Sequence, residues 1–133
     1  MKIKSIITIS LILIITSLSG CSNDRNSSDL SYSNISAKEA KEMMDSDTSI
    51  TILDVRTEDE FNTGHIEDAI LIPDTEIREK AEELLIDKQA PILVYCRSGR
   101  RSALASATLV DLGYKKVYDF GGIIDWEYDI VTE

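Results

Sequence analysis

The chain has 133 residues, of which 24 are acidic and 14 are basic, and its formal net charge is −10 at pH 7. A surface this acidic repels phosphate groups, so we do not expect it to bind nucleic acid or an anionic lipid surface. Two cysteines and one histidine are too few for a zinc site, and the loop "SGRRS" lacks the spaced glycines and the lysine of a nucleotide-binding loop. We therefore expect no metal and no cofactor.

Residues 1–20 have the composition of a secretory signal. Lys2 and Lys4 form a basic start, and residues 6–18 form an apolar stretch that is short for a membrane span. A buried core helix is the alternative, but the polar tract that follows argues against it. The apolar stretch runs into "LSGC", residues 18–21, which resembles the lipobox of bacterial lipoproteins. In a lipobox the cysteine, here Cys21, receives a diacylglycerol and becomes the first residue of the mature protein. We therefore expect a lipid anchor in the cell membrane, with the protein facing the extracytoplasmic side.

The rest of the chain divides into a tether and one domain. Residues 22–34 are rich in serine and asparagine, which is typical of a flexible linker. The predicted segments are a signal at 1–20, a lipidated cysteine with its tether at 21–34 and one small domain at 35–133. Loss of the signal would lower the basic count from 14 to 12 and bring the net charge to −12. Because Cys21 would carry lipid, Cys96 would have no intramolecular disulfide partner. We expect membrane contact through the anchor only, and a monomer.

The domain alternates predicted helices and strands. Ser36 and Glu39 fit a capping box at the start of a helix, and residues 50–55 have the apolar, β-branched composition of a buried strand. Further strands are predicted at residues 69–73, 91–95 and 116–120. Helices are predicted at residues 74–87 and 102–112, and short helices at 57–61 and 123–128. The glycine pair at 121–122 predicts a tight turn. The alternation predicts an α/β fold with a covered parallel sheet, whose active site lies beyond the carboxyl ends of the strands.

The segment "VYCRSGRRS", residues 94–102, places three arginines in the five positions after Cys96. A strand that ends in cysteine, a turn at Gly99 and a helix directly after it would surround the sulfur with backbone N–H groups and a helix N-terminus. Both favour the thiolate, so we predict a lowered pKa and a nucleophilic cysteine. The alternatives are an inert buried cysteine, which the arginines argue against, and solvated surface charge for the arginines, which fits Arg100 better than Arg101.

One family resemblance rests on a set of five motifs. They are "LDVR" at 53–56, "EF-x-x-GHI" at 60–66, "IP" at 72–73, "CRSGRRS" at 96–102 and "GG-x-x-x-W" at 121–126. As a set they resemble a single-domain rhodanese over residues 33–130. The resemblance implies a three-layer α/β/α fold with a five-stranded parallel sheet and an edge strand near 32–35. It also implies sulfur transfer, in which Cys96 takes the outer sulfur of a small donor such as thiosulfate, holds it as a persulfide and passes it to a small nucleophilic acceptor.

The resemblance also implies roles for single residues. The catalytic cysteine and the substrate-binding loop correspond to Cys96, Arg97, Ser98, Gly99, Arg100 and Arg101. Asp54 and Arg56 correspond to an acid–base pair beneath the loop, which we interpret as chiefly structural, with Arg56 also lending charge to substrate binding. His65 corresponds to a residue of a structural turn, which we favour over a catalytic Cys–His pair. Glu67 and Asp68 stand where the family has a Pro-Gly type of turn, so the geometry of that turn is open.

The arginines favour an anionic donor over 3-mercaptopyruvate. Thiosulfate is a dianion that a domain of net charge −12 would repel, and arginines at the loop would supply a local positive field for it and for the departing sulfite. Two other interpretations stay open. One is a non-catalytic sulfur carrier or thiol redox sensor. The other is a cysteine phosphatase or arsenate reductase, whose Cys-x5-Arg loop is one residue longer than the Cys-x4-Arg of Cys96 to Arg101.

Overall fold

The computed structural model describes residues 31–132, so the predicted signal, Cys21 and most of the predicted tether lie outside the described residues. The described chain contains the strands β1 (Ser33–Asn34), β2 (Thr51–Asp54), β3 (Ile70–Leu71), β4 (Ile92–Cys96) and β5 (Val117–Gly122). All neighbouring strands are parallel, and their order in the sheet is β1-β5-β4-β2-β3. The edge strand predicted near 32–35 is confirmed as β1, which pairs with β5.

Helices connect the strands and cover the sheet. In the described residues they are α1 (Ala37–Ser46), α2 (Glu58–Thr63), α3 (Ile77–Leu84) and α4 (Arg100–Asp111), with 3-10 helices at Asp74–Glu76 and Ile123–Asp125. The predicted capping box of Ser36 and Glu39 starts α1, and an equivalent box of Thr57 and Glu60 starts α2.

Each face of the sheet has its own apolar core, because successive side chains of a strand point to opposite faces. One core lies between the sheet and the helices α3 and α4, and it includes Leu53, Val94 and Leu109. The other lies between the sheet and α1, and it includes Leu93 and Ala40. All five residues of the central strand β4 are buried, which explains its uninterrupted apolar composition. The predicted α/β/α layers with a five-stranded parallel sheet are confirmed.

The boundaries of two predicted helices were wrong. The helix predicted from Ser102 begins at Arg100, because Gly99 adopts φ 101° and takes the N-cap position. The helix predicted at 74–87 starts as a 3-10 turn and ends at Leu84, because the next residue leaves the helical region at ψ 72°.

The glycine pair at 121–122 is not a separate turn, as predicted, but the end of β5. The strand continues because Cys96 pairs with Gly122, after a register shift that follows Val94. The short helix predicted at 123–128 is reduced to a 3-10 turn of three residues.

The turn at Glu67 and Asp68 closes without the Pro-Gly pair of the family. Asp68 adopts φ 64°, in the left-handed region that glycine prefers. The N–H of Ala69 donates to the carbonyl oxygen of Ile66 at 3.1 Å and closes the turn. Aspartate is among the few non-glycine residues that tolerate this conformation, so the turn is kept at some conformational cost.

Candidate active site

Cys96 is the last residue of β4 and stands at the carboxyl edge of the sheet. Its Sγ accepts a hydrogen bond from the backbone N–H of Gly99 at 3.0 Å and lies 3.6 Å from the Oγ of Ser102. The residue is only 1% exposed. A sulfur donor therefore has to be small, or it has to reach the thiol through the loop.

The surroundings of the sulfur set the pKa of the thiol. Burial raises the pKa of Cys96, but hydrogen bonds to the sulfur outweigh burial, and the pKa is lowered overall. The donors are the backbone N–H and the hydroxyl of Ser102, and the backbone N–H groups of Gly99 and Ser98. These donors lie at the N-terminus of α4, whose dipole also favours an anion. The pKa lies in the direction that the sequence predicts, and the thiolate is the form that attacks.

Ser102 has a role that the sequence analysis missed. Its side chain is fully buried, and its Oγ lies 3.0 Å from the carbonyl oxygen of Gly99 and 3.3 Å from that of Gly121. The single hydrogen of the hydroxyl can be donated either to one of these carbonyl oxygens, which links the loop to β5, or to the thiolate of Cys96. The available signal was the final serine of "CRSGRRS", for which we predicted a backbone N–H near the sulfur and the start of a helix, but no role for the hydroxyl.

Gly122 has a second missed role, because the loop lies directly against it. A Cβ at this position would lie 2.3 Å from the carbonyl oxygen of Arg97 and 2.6 Å from the Cα of Ser98. The N–H of Ile124 donates to the same carbonyl of Arg97 at 3.3 Å. The end of β5 thus sets the position of the loop. The glycine pair was noticed in the sequence as a tight turn and as part of a family motif, but its contact with the loop was not predicted.

The three arginines of the loop are not equivalent. Arg101 lies in the first turn of α4 and forms two hydrogen bonds with the carboxylate of Glu60, at 2.7 and 2.8 Å. This pairing lowers the pKa of Glu60 from 4.5 to about 2 and raises the pKa of Arg101. Arg97 and Arg100 are exposed, and neither forms an ion pair within residues 31–132. Glu60 was present in the "EF-x-x-GHI" motif, but its partner was not predicted.

Asp54 and Arg56 form the pair that the resemblance implies. The guanidinium donates to both carboxylate oxygens of Asp54, at 2.6 to 3.0 Å, and to the carbonyl oxygen of Gly64 at 2.8 Å. It also lies 5.5 Å from the centre of the Tyr95 ring. Arg56 is 5% exposed. These contacts connect the end of β2 with Gly64 and Tyr95 and fit a supporting role, whereas a direct role of Arg56 in substrate binding stays a prediction.

His65 lies in a buried turn rather than beside the thiol. Its Nδ1 is 3.0 Å from the carbonyl oxygen of Phe61, and its ring stacks on the Phe61 ring at 3.6 Å. Its backbone forms an isolated antiparallel bridge with Val131. These contacts account for the side chain and fit the predicted supporting role.

Residues 31–132 contain neither a candidate metal site nor a helix that could span a membrane. No group of three or more His, Cys, Asp and Glu side chains in this range is arranged to hold a metal ion. None of the helices in the same range combines the length and apolar character needed to cross a lipid bilayer.

Proteins of similar sequence carry sulfur-related names. "Putative sulfur carrier protein YrkF" of Bacillus subtilis (strain 168) is 40% identical over 93 residues, which are 69% of this chain and 49% of that protein. The chain thus spans about half the length of YrkF. "Thiosulfate sulfurtransferase GlpE" of Coxiella burnetii (strain RSA 331 / Henzerling II) is 36% identical over 97 residues, which are 72% of this chain and 88% of that protein.

Solved structures share the fold. A rhodanese-related protein from Thermoplasma volcanium superposes with a TM-score of 0.67 at 36% identity, covering 77% of this chain and 100% of that chain. A rhodanese-like domain protein from Staphylococcus aureus superposes with a TM-score of 0.68 at 27% identity, covering 76% and 98%. The family model described as "Rhodanese-like domain" matches residues 36–129. The chain therefore belongs to the rhodanese-like family.

Proposed function

We propose that the protein is a sulfurtransferase that moves sulfane sulfur from thiosulfate, or a similar small anionic donor, to a thiophilic acceptor. The Cys96 thiolate attacks the outer sulfur of thiosulfate, an Sγ–S bond forms, the S–S bond of thiosulfate breaks, and sulfite leaves with the electron pair. An acceptor nucleophile such as cyanide then attacks the outer sulfur of the persulfide, takes it as thiocyanate and restores the thiolate.

The observation that carries this proposal is the ring of donors around the Cys96 sulfur. The same N–H groups of Ser98, Gly99 and Ser102 that lower the pKa of the thiol are placed to stabilise the negative charge of a persulfide. The near-complete burial of the thiol also fits a small donor. The names of GlpE and of the Escherichia coli relative "Thiosulfate sulfurtransferase PspE", 36% identical over 73 residues, agree with this reaction class.

Positive charge at the site comes from two arginines in this proposal. Arg101 is neutralised by Glu60, which leaves Arg97 and Arg100 as the loop arginines without an ion pair in the described range. Their exposed guanidinium groups would offset the repulsion between an acidic domain and a dianionic donor.

The experiment that tests the proposal is an intact-mass measurement of the protein before and after incubation with thiosulfate. We expect a gain of one sulfur atom that cyanide removes. Cys96→Ser is the control, and it should stay folded and gain no sulfur. A thiol that is freely alkylated but gains no sulfur from thiosulfate would contradict the donor that we propose.

A sulfur carrier is the second candidate, because YrkF, the relative with 40% identity, is named as one. A carrier would take up one sulfur but would not turn over with thiosulfate and cyanide both in excess. The phosphatase alternative has less support, because Arg101 is paired with Glu60 and the Cys-x4-Arg loop is one residue shorter than the loop of such phosphatases. Hydrolysis of a phosphate ester by the protein, without sulfur uptake from thiosulfate, would favour the phosphatase over both sulfur-related functions.

We also propose that the protein is a lipoprotein of the cell membrane, anchored through Cys21 and facing the extracytoplasmic side. The support is the basic, apolar and "LSGC" pattern of residues 1–21. Cys21→Ala should move the protein out of the membrane fraction. Unchanged membrane association of that variant would remove the anchor from the proposal.

A further inference from the structure

A groove separate from the thiol opens on the sheet face that α1 covers. It consists of two cavities of about 580 and 340 Å³ whose linings share Met44, Ile52 and Asp68. It runs between the second half of α1, the turn at 66–68 and the segment at 126–129, and we call it the α1 groove. Cys96 lines neither cavity.

The floor of the α1 groove is apolar and one of its ends is aromatic. Met44, Ile52 and Ile66 lie along it. At one end, the rings of Trp126 and Tyr128 meet edge to face, with their centres 4.9 Å apart. This surface is open because α1, with ten residues, is the only α-helix of the described chain that packs on this face of the sheet. These apolar side chains offer contacts for the side chains of a ligand, whereas polar atoms make up more than half of the exposed lining of the larger cavity.

The walls of the groove carry negative charge along their whole length. The acidic lining residues are Asp45, Asp47, Glu67, Asp68, Glu127 and Asp129. Lys41 is the basic residue of the lining, and Asp45 already forms an ion pair with it. The other carboxylates form no ion pair within residues 31–132. Their summed field favours a cationic ligand.

The chain itself already places a cation at the aromatic end. The Nζ of Lys41 lies 5.7 Å from the centre of the Tyr128 ring while it pairs with Asp45. An ammonium group over an aromatic ring, with a carboxylate beside it, is the arrangement in which proteins hold organic cations. A basic side chain of another molecule could use the same ring and the unpaired carboxylates beyond it.

We propose that the α1 groove binds an extended, lysine- or arginine-bearing segment of a partner protein. A polypeptide fits better than a small cation because the carboxylates extend from Asp129 at the aromatic end to Asp47 at the other, with the apolar floor between them. Alternate side chains of an extended segment would reach the floor, and the others would reach the acidic walls. The proposal is independent of the sulfur-transfer proposal, since neither Cys96 nor its loop at 97–102 lines the groove.

The test uses the full chain in a non-ionic detergent and Trp126 as the reporter, because it is the only tryptophan of the protein. The probe is a synthetic peptide of alternating lysine and leucine, titrated at near-physiological salt while tryptophan fluorescence is recorded. We expect a saturable change. The double variant Glu127→Gln, Asp129→Asn should weaken binding about fivefold or more. The matched control is Glu79→Gln, Glu83→Gln on α3, which removes the same charge outside the groove and should leave the affinity unchanged.

Four results would overturn the proposal. The first is no change in Trp126 fluorescence, and the second is equal weakening in both double variants, which would mean non-specific attraction to an acidic protein. The third is equally tight binding of a peptide of alternating glutamate and leucine. The fourth is saturation by tetramethylammonium at the same concentration, which would mean a small-cation site. Equal unfolding midpoints confirm that the variants are folded, and Glu67→Gln on the same wall replaces the double variant if that one unfolds.

Discussion

The guanidinium of Arg101 faces the carboxylate of Glu60, with Nη1 2.7 Å from Oε2 and Nη2 2.8 Å from Oε1. The same carboxylate accepts a hydrogen bond from the N–H of Thr57 and completes the capping box of α2. One side chain thus joins the start of α2 to the first turn of α4, across 41 residues of sequence. The active-site end of α4 depends on this connection.

We expect Glu60→Gln to change how stability depends on pH. In the folded wild-type protein the pKa of the Glu60 carboxyl is lowered from 4.5 to about 2. The stability that this carboxylate contributes is therefore present above pH 4.5, the pKa in the unfolded chain, and is lost as the pH falls towards 2. The pair is partly exposed, so we expect a loss of about 1–2 kcal/mol. Urea unfolding between pH 7 and pH 2 measures it. Glu58→Gln, in the same helix turn but outside this pair, should keep the wild-type slope; a slope shared by both variants would contradict the role of Glu60.

Ser102→Ala should raise the pKa of the Cys96 thiol. The variant removes the hydroxyl that lies 3.6 Å from Sγ, while the backbone N–H groups of the loop remain. The rate of alkylation by iodoacetamide, measured against pH, should therefore reach its midpoint at a higher pH than in the wild type. Ser98→Ala is the control, because Ser98 acts on the sulfur through its backbone N–H only. Coincident profiles for Ser102→Ala and the wild type would show that the hydroxyl has no effect on the thiolate.

Gly122→Ala should displace the loop and abolish most of the sulfur uptake. Its added Cβ would lie 2.3 Å from the carbonyl oxygen of Arg97, which forces the backbone apart at a cost of about 1–3 kcal/mol. Gly121→Ala is the control that distinguishes a steric clash from backbone strain. Its added Cβ would have no atom within 4 Å apart from its chain neighbours, but its φ of 87° is unfavourable for alanine. That variant should lose about 1 kcal/mol and keep sulfur uptake. Full uptake by a folded Gly122→Ala protein, measured by intact mass, would show that the loop tolerates the methyl group.

Asp68→Gly should stabilise the protein. Asp68 has φ 64°, which costs less for glycine, so we expect a gain of about 0.5 kcal/mol after the greater flexibility of unfolded glycine is counted. Glu67→Gly is the control at the neighbouring position, where φ is not positive, and it should lose about 0.5–1 kcal/mol. Both values come from urea unfolding. A destabilised Asp68→Gly variant would mean that the aspartate side chain contributes more than its conformation costs.

Removal of Arg97 and Arg100 together should weaken the use of thiosulfate. The double alanine variant loses the unpaired positive charge at the loop, so the KM for thiosulfate should rise about threefold or more, and by less at high salt. A neutral organic polysulfide should be affected little. The control is the double variant Lys115→Ala, Lys116→Ala. It removes the same charge just before β5, at the amino ends of the parallel strands and therefore away from Cys96. Equal losses for the charged and the neutral donor would argue against electrostatic attraction.

Local features of this protein were predictable because they depend on residues close in the sequence. The capping box of Ser36 and Glu39 involves residues three apart, and the apolar run before Cys96 is long enough to mark a buried strand. The cysteine at the end of that strand, followed by a glycine and a helix, already predicts a stabilised thiolate. The boundaries of helices were predicted less reliably. We expected α4 to start at Ser102, but it starts at Arg100, because Gly99 adopts a positive φ and takes the N-cap position.

The sequence by itself determined the order of strands and helices and the position of Cys96 at the end of a buried strand. Only the tertiary structure decided which side chains complete the site, because those contacts join segments far apart in the chain. Arg101 meets Glu60, Ser102 meets the carbonyl oxygen of Gly121, and Gly122 leaves room for the loop. No pattern within one segment specifies such a partner, since the packing of β5 and α2 against α4 brings them together. The arginines that looked alike in "CRSGRRS" therefore differ: one is bound to a carboxylate, and two face solvent.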